Sequence, residues 1–243
     1  MLGLANAQAD GAVSGVGCDR GKQLLQPLEG VGAGAEKRQC RPHAARRVVE
    51  RAFERDLLVV DPEGVDADVR LAAAKLAVAA FAYAGQVCIK AQRILVAKEI
   101  ERDFLDAFLE ESRKIAPREP SDPEAVLGPM IDEESARRVE GWVEEARAGG
   151  ALVLLEPKRE GSRLSPAIVS GAKPGMKIRD REIFGPVATV DAFEDLRGAL
   201  AEVNDSPYGL QAAIFTRNIA SAMAAFEELE VGAYFKRLVA FDT

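Results

Sequence analysis

From residue 57 onward, the apolar positions switch repeatedly between a strand period and a helix period. Leu57-Leu58-Val59-Val60 is a short continuous apolar run and reads as a strand. Asp61-Pro62-Glu63-Gly64 is turn chemistry. Asp66 is a good N-cap for a helix predicted from Ala67 to about Tyr83; apolar residues surround it almost completely, which predicts burial, and Gly85 is placed to stop it. Gln92 to Ala97 reads as a buried strand. Ile100, Phe104, Leu105, Phe108 and Leu109 then recur at helical spacing within Glu99 to Ile115. Ala116 to Met130 is a Pro-rich surface connection. Asp132 to Ala148 is a second amphipathic helix, with Val139, Trp142, Val143 and Ala146 inward and Gly149-Gly150 at its end. Trp142, the one tryptophan, is read as core packing.

Strands are predicted at Ala151 to Leu155, Pro166 to Val169, Val187 to Phe193 and Ala212 to Thr216, with a last one over Val231 to Phe235. Helices are predicted at Glu194 to Val203 and Ile219 to Glu230, and Pro157 to Ser162 reads as a polar loop. This alternation implies an α/β fold with a mostly parallel sheet. Residues 1–57 differ. They are rich in Gly, Ala, Arg and Gln and show no clean period before the strand-like run. Gly15-Val16-Gly17 lacks the third glycine of a dinucleotide fingerprint, and a flexible Gly-rich stretch is the simpler reading. We expect an atypical, disordered N-terminal segment, with one short charged helix over Arg46 to Arg55.

Composition narrows the function classes. The 243 residues suffice for one large or two small domains with a real core. A net charge of −7 argues against a general nucleic-acid binder and against an anionic membrane surface as partner. The longest apolar run, Leu71 to Ala84, is broken by Lys75 and is too short to span a bilayer, and no secretory signal pattern opens the chain. Cys18, Cys40 and Cys88 are widely spaced and form no CxxC pair, so neither a metal site nor a disulfide framework is expected; a reducing cytoplasm fits. His43, the single histidine, lies beside Pro42 and between arginines, and reads as a solvated loop residue.

The candidate chemistry lies in Phe81-Ala82-Tyr83-Ala84-Gly85-Gln86-Val87-Cys88. A thiol just past a helix stop, among small side chains, is open to a planar carbonyl, as a nucleophilic cysteine must be. The alternative is one more small buried residue. Three further stretches bear on the choice: Leu127-Gly128-Pro129-Met130-Ile131-Asp132; Glu182-Ile183-Phe184-Gly185-Pro186-Val187; and Asn204-Asp205-Ser206-Pro207-Tyr208-Gly209-Leu210 followed by Ala212-Ala213-Ile214-Phe215-Thr216. Together with Gly85-Gln86-Val87-Cys88 and Arg93, in this order, they resemble the aldehyde dehydrogenase superfamily over about residues 58–232. The resemblance implies a three-layer α/β/α fold with a mostly parallel sheet, an incomplete version of that family's catalytic domain, over residues 58–233.

By the same resemblance, Cys88 is the nucleophile. Its thiolate adds to an aldehyde carbon, the thiohemiacetal gives up hydride to NAD or NADP, and the Cys88 thioester is hydrolysed to a carboxylic acid. The Cys88 backbone N–H supplies one oxyanion donor. Glu182 matches the glutamate that accepts hydrogen bonds from the nicotinamide ribose, and Phe184 the aromatic packed beside it; without the resemblance, Glu182 reads as a surface carboxylate next to Arg181. Glu54, 34 residues before Cys88, stands at roughly the family's separation for a general base, but no glycines follow it. The family's asparagine oxyanion donor, cofactor-phosphate lysine and Gly-rich helix entry have no counterpart. Tyr234 to Thr243 forms a divergent tail. The expectation is a truncated relative whose first 57 residues are read out of frame, acting on a small-molecule aldehyde and associating, as a homo-oligomer or otherwise, through uncovered apolar surface. An inactive remnant and a cofactor-independent cysteine esterase are the alternatives.

Overall fold

A computed structural model describes residues 56–60 and 69–238, with side chains over 69–232. Its core is a seven-stranded sheet built from β1 (Asp56–Val60), β2 (Ala91–Ala97), β3 (Leu152–Leu155), β6 (Ala167–Ser170), β7 (Val187–Phe193), β8 (Gln211–Thr216) and β9 (Ala233–Leu238). The spatial order is β3-β6-β7-β2-β1-β8-β9, and every neighbouring pair is parallel except β3–β6. The expected mostly parallel sheet is therefore present. Two short strands, β4 (Arg159–Glu160) and β5 (Arg163–Leu164), form a separate hairpin.

Three layers follow from side-chain alternation in the strands. In β2, which is buried along its whole length, Ile94 and Val96 pack with α1 (Val69–Phe81) and α2 (Glu101–Lys114), where Phe81, Phe104 and Phe108 stack at 5.5–6.1 Å. Leu95 and Ala97 point to the other face, onto α5 (Leu196–Asn204) and α6 (Ile219–Glu228). On that second face, β6 and β7 are covered by α3 (Glu133–Ala148) and by the single turn α4 (Lys177–Asp180), through Val139, Val143, Val169, Ile178 and Val187. A strand buried on both faces must be apolar at consecutive positions, which explains the run Ile94 to Ala97.

Several expectations need correction. Helix α1 is one-sided: Ala72, Ala73, Leu76 and Ala77 are buried, whereas Leu71 and Val78 are exposed. It ends at Phe81, before Gly85. Pro157 to Ser162 is not simply a loop. It contributes β4 and the hairpin turn, because Arg159 is held by Glu140 and Glu133 on α3, a side-chain tether with no hydrophobic period. Trp142 is half-buried at the edge of its cluster, with the Arg138 guanidinium 4.8 Å from its ring centroid.

Arg93 also finds a structural explanation. It is buried, points to the α5 face and pairs with Glu202 at 2.5 Å, while Arg179 of α4 joins the same carboxylate at 3.5 Å. Burial lowers the Arg93 pKa and the Glu202 charge opposes that shift. On neighbouring β7, burial raises the Asp191 carboxyl above the usual aspartate range, while a 2.7 Å bond from the Gly171 N–H opposes the rise. A raised carboxyl pKa means that the fold favours the protonated form. Its contribution to stability is therefore present below the ordinary aspartate range and is lost as pH rises through the raised value. Asp191→Asn keeps an acceptor for Gly171 and should flatten the decline of melting temperature with pH in this mildly acidic window. An unaltered profile in thermal melts from pH 3 to 7 refutes it.

Candidate active site

The chain leaves α1 in an uncommon conformation. Tyr83, Ala84 and Gly85 have φ of 55°, 57° and 63°, three left-handed residues in succession. Non-glycine residues adopt this region at a cost of roughly 1–2 kcal/mol each. Tertiary contacts hold it: the Tyr83 N–H donates to Val126 O at 2.9 Å, and Ala84 is fully buried. At Gly85 a side chain is excluded, since a Cβ would lie 2.2 Å from the Gly185 carbonyl oxygen. Gln86 accepts from the Ile131 N–H at 2.9 Å. Val87 to Lys90 then close a turn, with the Lys90 N–H on Val87 O at 3.3 Å and Cys88 and Ile89 at its two corners. Cys88 is a free, exposed thiol, so the buried-residue reading does not hold.

The second loop runs from Arg181 to Pro186. Phe184 has φ 48° and is 40% exposed, so its ring stands out of the loop, while Glu182 is half-buried. Gln92, at the start of β2, brackets Glu182: its amide donates to Arg181 O at 2.8 Å and accepts from the Ile183 N–H at 2.9 Å. Arg138, stacked on Trp142, donates to Ile183 O at 3.0 Å. Buried Lys90 donates to Gly185 O at 2.7 Å and to Val187 O at 2.6 Å. Gly185 is itself enclosed, with room for a Cβ denied by Val139 at 2.7 Å.

The four motifs thus converge although they are scattered along the sequence. Gly85 meets Gly185, Gln86 holds Ile131, and the Gln211 amide, between the two parts of the fourth motif, donates to Ile89 O at 3.2 Å. Asp132 of the second motif caps α3, accepting from the Ser135 N–H at 2.7 Å. Asn204 of the fourth ties α5 to the end of α6 through Glu228 O and the Glu230 N–H. The Cys88 turn, the Arg181–Pro186 loop and the Asn204–Leu210 turn precede the parallel strands β2, β7 and β8, so all three lie at the amino ends of these strands. Exposed apolar side chains flank them: Tyr83 (74%), Ile89, Val126, Ile131 (82%) and Phe184.

Of the residues singled out from sequence, Cys88, Glu182 and Phe184 therefore lie on loops in direct contact. Glu54 lies outside the described residues. Lys90, Gln92 and Arg138 escaped sequence reading. For the first two a signal existed, because polar side chains next to a strand buried on both faces must find hydrogen-bond partners. Among the described residues no helix is long and apolar enough to cross a membrane.

Comparison with known proteins gives one consistent answer. The model of the aldehyde dehydrogenase family matches residues 57–236. The chain is 40% identical over 167 residues to a 3-sulfolactaldehyde dehydrogenase of Priestia megaterium, covering 69% of this chain and 35% of that protein. It is 35% identical over 167 residues to a lactaldehyde dehydrogenase of Methanococcus maripaludis, covering 69% and 36%. Among solved structures, the NADP-dependent glyceraldehyde-3-phosphate dehydrogenase of Bacillus halodurans superposes with a TM-score of 0.71 at 30% identity, over 79% of this chain and 40% of that one. The aldehyde dehydrogenase KauB of Pseudomonas aeruginosa superposes with a TM-score of 0.72 at 31% identity, over 79% and 39%. The chain spans little more than a third of the length of these relatives. With the family's model matched over most of the chain, and its motifs gathered around one exposed thiol, this protein belongs to the aldehyde dehydrogenase family.

Proposed function

We propose that this chain carries the thiol half of an NAD(P)-dependent aldehyde oxidation, with Cys88 as nucleophile. The observation that supports this most is the backbone contact between Gly85 and Gly185, which joins the exposed Cys88 turn to the loop bearing Glu182 and Phe184. The Cys88 thiolate adds to the aldehyde carbon and its backbone N–H donates to the oxygen that becomes negative. A bound nicotinamide supplies the hydride acceptor. Loss of hydride from the carbon leaves a thioester on Cys88, and water cleaves it to a carboxylic acid and regenerates the thiol. Glu182 and Phe184 suit the cofactor's ribose: a carboxylate accepts from two adjacent hydroxyls, and an exposed ring covers an apolar face. Glu54 is proposed as the base that activates water. A reducing cytoplasm would keep the thiol free. The exposed Tyr83, Val126 and Ile131 support association through this apolar surface.

The test is a panel of aldehydes that includes lactaldehyde and 3-sulfolactaldehyde, the aldehydes for which two relatives are named, with NAD or NADP. Growth of the reduced-nicotinamide absorbance is the expected result. A flat trace from folded, unmodified protein, a separate sample of which shows Cys88 reactive toward iodoacetamide, refutes turnover by this chain.

A further inference from the structure

We propose that Lys90 and Gln92 are positioning residues, whose side chains together set the Glu182–Phe184 loop against the Cys88 turn. The inference rests on the cofactor role proposed for that loop and goes beyond it, assigning the loop's placement to two residues that take no part in the chemistry. Both are at least 97% buried and stand two positions apart where the chain enters β2. Four hydrogen bonds of their side chains reach main-chain atoms of residues 181–187, on both sides of Phe184.

The loop requires such anchors. Phe184 is a bulky residue at φ 48°, a conformation that persists only where its surroundings over-determine it. Gln92 fixes the chain before it, through Arg181 O and the Ile183 N–H. Lys90 fixes the chain after it, through Gly185 O and Val187 O. The Val187 N–H returns to Gly185 O at 2.8 Å, so the lysine closes a turn already folded on itself. Lys90 spans the turn after Phe184, reaching both of its carbonyls at 2.6–2.7 Å, as Gln92 spans the stretch before it. Lys90 also lies two residues beyond Cys88, within the same turn. A single short segment thus carries the thiol and both anchors. Without the anchors Phe184 can relax to a common backbone conformation, moving Glu182 on one side and Gly185 on the other.

Hydrogen exchange by mass spectrometry on peptides covering 181–187, in the full chain, tests this without requiring turnover. Gln92→Leu and Lys90→Met should each raise exchange there by about tenfold or more, the usual effect of losing a buried hydrogen bond, while peptides covering 101–114 and 211–216 keep their rates. Gln92→Glu retains the acceptor for the Ile183 N–H and should restore most of the protection at that amide. In parallel, NAD or NADP titrated against Trp142 fluorescence should show half-saturation raised at least about tenfold in Gln92→Leu, and iodoacetamide should alkylate Cys88 at the wild-type rate. Unchanged exchange at 181–187 in both variants overturns the inference, as does a rise shared equally by all peptides. If the wild type binds no nucleotide, the cofactor reading fails while the exchange result still decides the positioning role.

Discussion

Cys88→Ala should lower aldehyde-dependent reduction of NAD or NADP by at least about 10³-fold, because deleting a covalent nucleophile removes the route itself and not one stabilising contact. The fold should be indifferent to the change. Cys88 is exposed at the corner of a turn, and no described packing cluster includes it, so melting temperature should stay within about 2 °C, as for surface substitutions generally. Peptide-level mass spectrometry after iodoacetamide should lose the label at residue 88, with any label at Cys18 or Cys40 unchanged from the wild type. A variant that keeps more than a tenth of the wild-type rate, with its melting temperature unchanged, rules out Cys88 as the nucleophile.

Gly85→Ala should produce the largest loss of stability of any single methyl addition in the described region. Two penalties act at once. Alanine at φ 63° costs roughly 1–2 kcal/mol. Its methyl, 2.2 Å from Gly185 O, also forces apart two loops held in place by buried hydrogen bonds, and overpacking of this kind adds roughly 1–3 kcal/mol. The sum, roughly 2–5 kcal/mol, corresponds to a fall of about 5–15 °C in melting temperature for a chain of this size. Gly185→Ala is the comparison: its φ is not left-handed and its obstacle is the Val139 side chain at 2.7 Å, so Val139→Ala should recover part of the loss in a double-mutant cycle. Gly85→Ala, whose obstacle is backbone, should not be recovered by Val139→Ala. Equal melting temperatures for wild type and Gly85→Ala would sink the account of the loop contact.

How far the sequence could be read depended on whether a segment answers to its neighbours in the chain or to distant ones. Strand β2 and helix α2 were legible because burial on two faces, or on one, imposes its own periodicity; Ile94 to Ala97 and Phe104 to Phe108 show both. The end of α1 was legible only to within two residues. The helix expected to about Tyr83 ends at Phe81, because Val126 O and the Gly185 backbone, respectively 43 and 100 positions away from the residues they touch, dictate the path. The β4–β5 hairpin was hidden for a similar reason, since ion pairs from Arg159 to α3 leave no apolar pattern. At the proposed site, Cys88 was singled out by its place just past a helix stop, and Glu182 and Phe184 by resemblance to motifs. The residues that hold them there look, in sequence, like the ordinary polar start of a strand.

The hydrogen bonds that join Lys90 and Gln92 to the second loop bridge 89 to 97 positions of chain. At synthesis rates of about 5–20 residues per second, the thiol leaves the ribosome roughly 5–20 s before the loop that will sit against it has been made. During that interval the main-chain atoms of residues 181–187 that Lys90 and Gln92 will hold, and the Gly185 backbone that will meet Gly85, do not yet exist. The contact between the two loops is therefore a late event in synthesis, although the thiol and both of its anchors are made together.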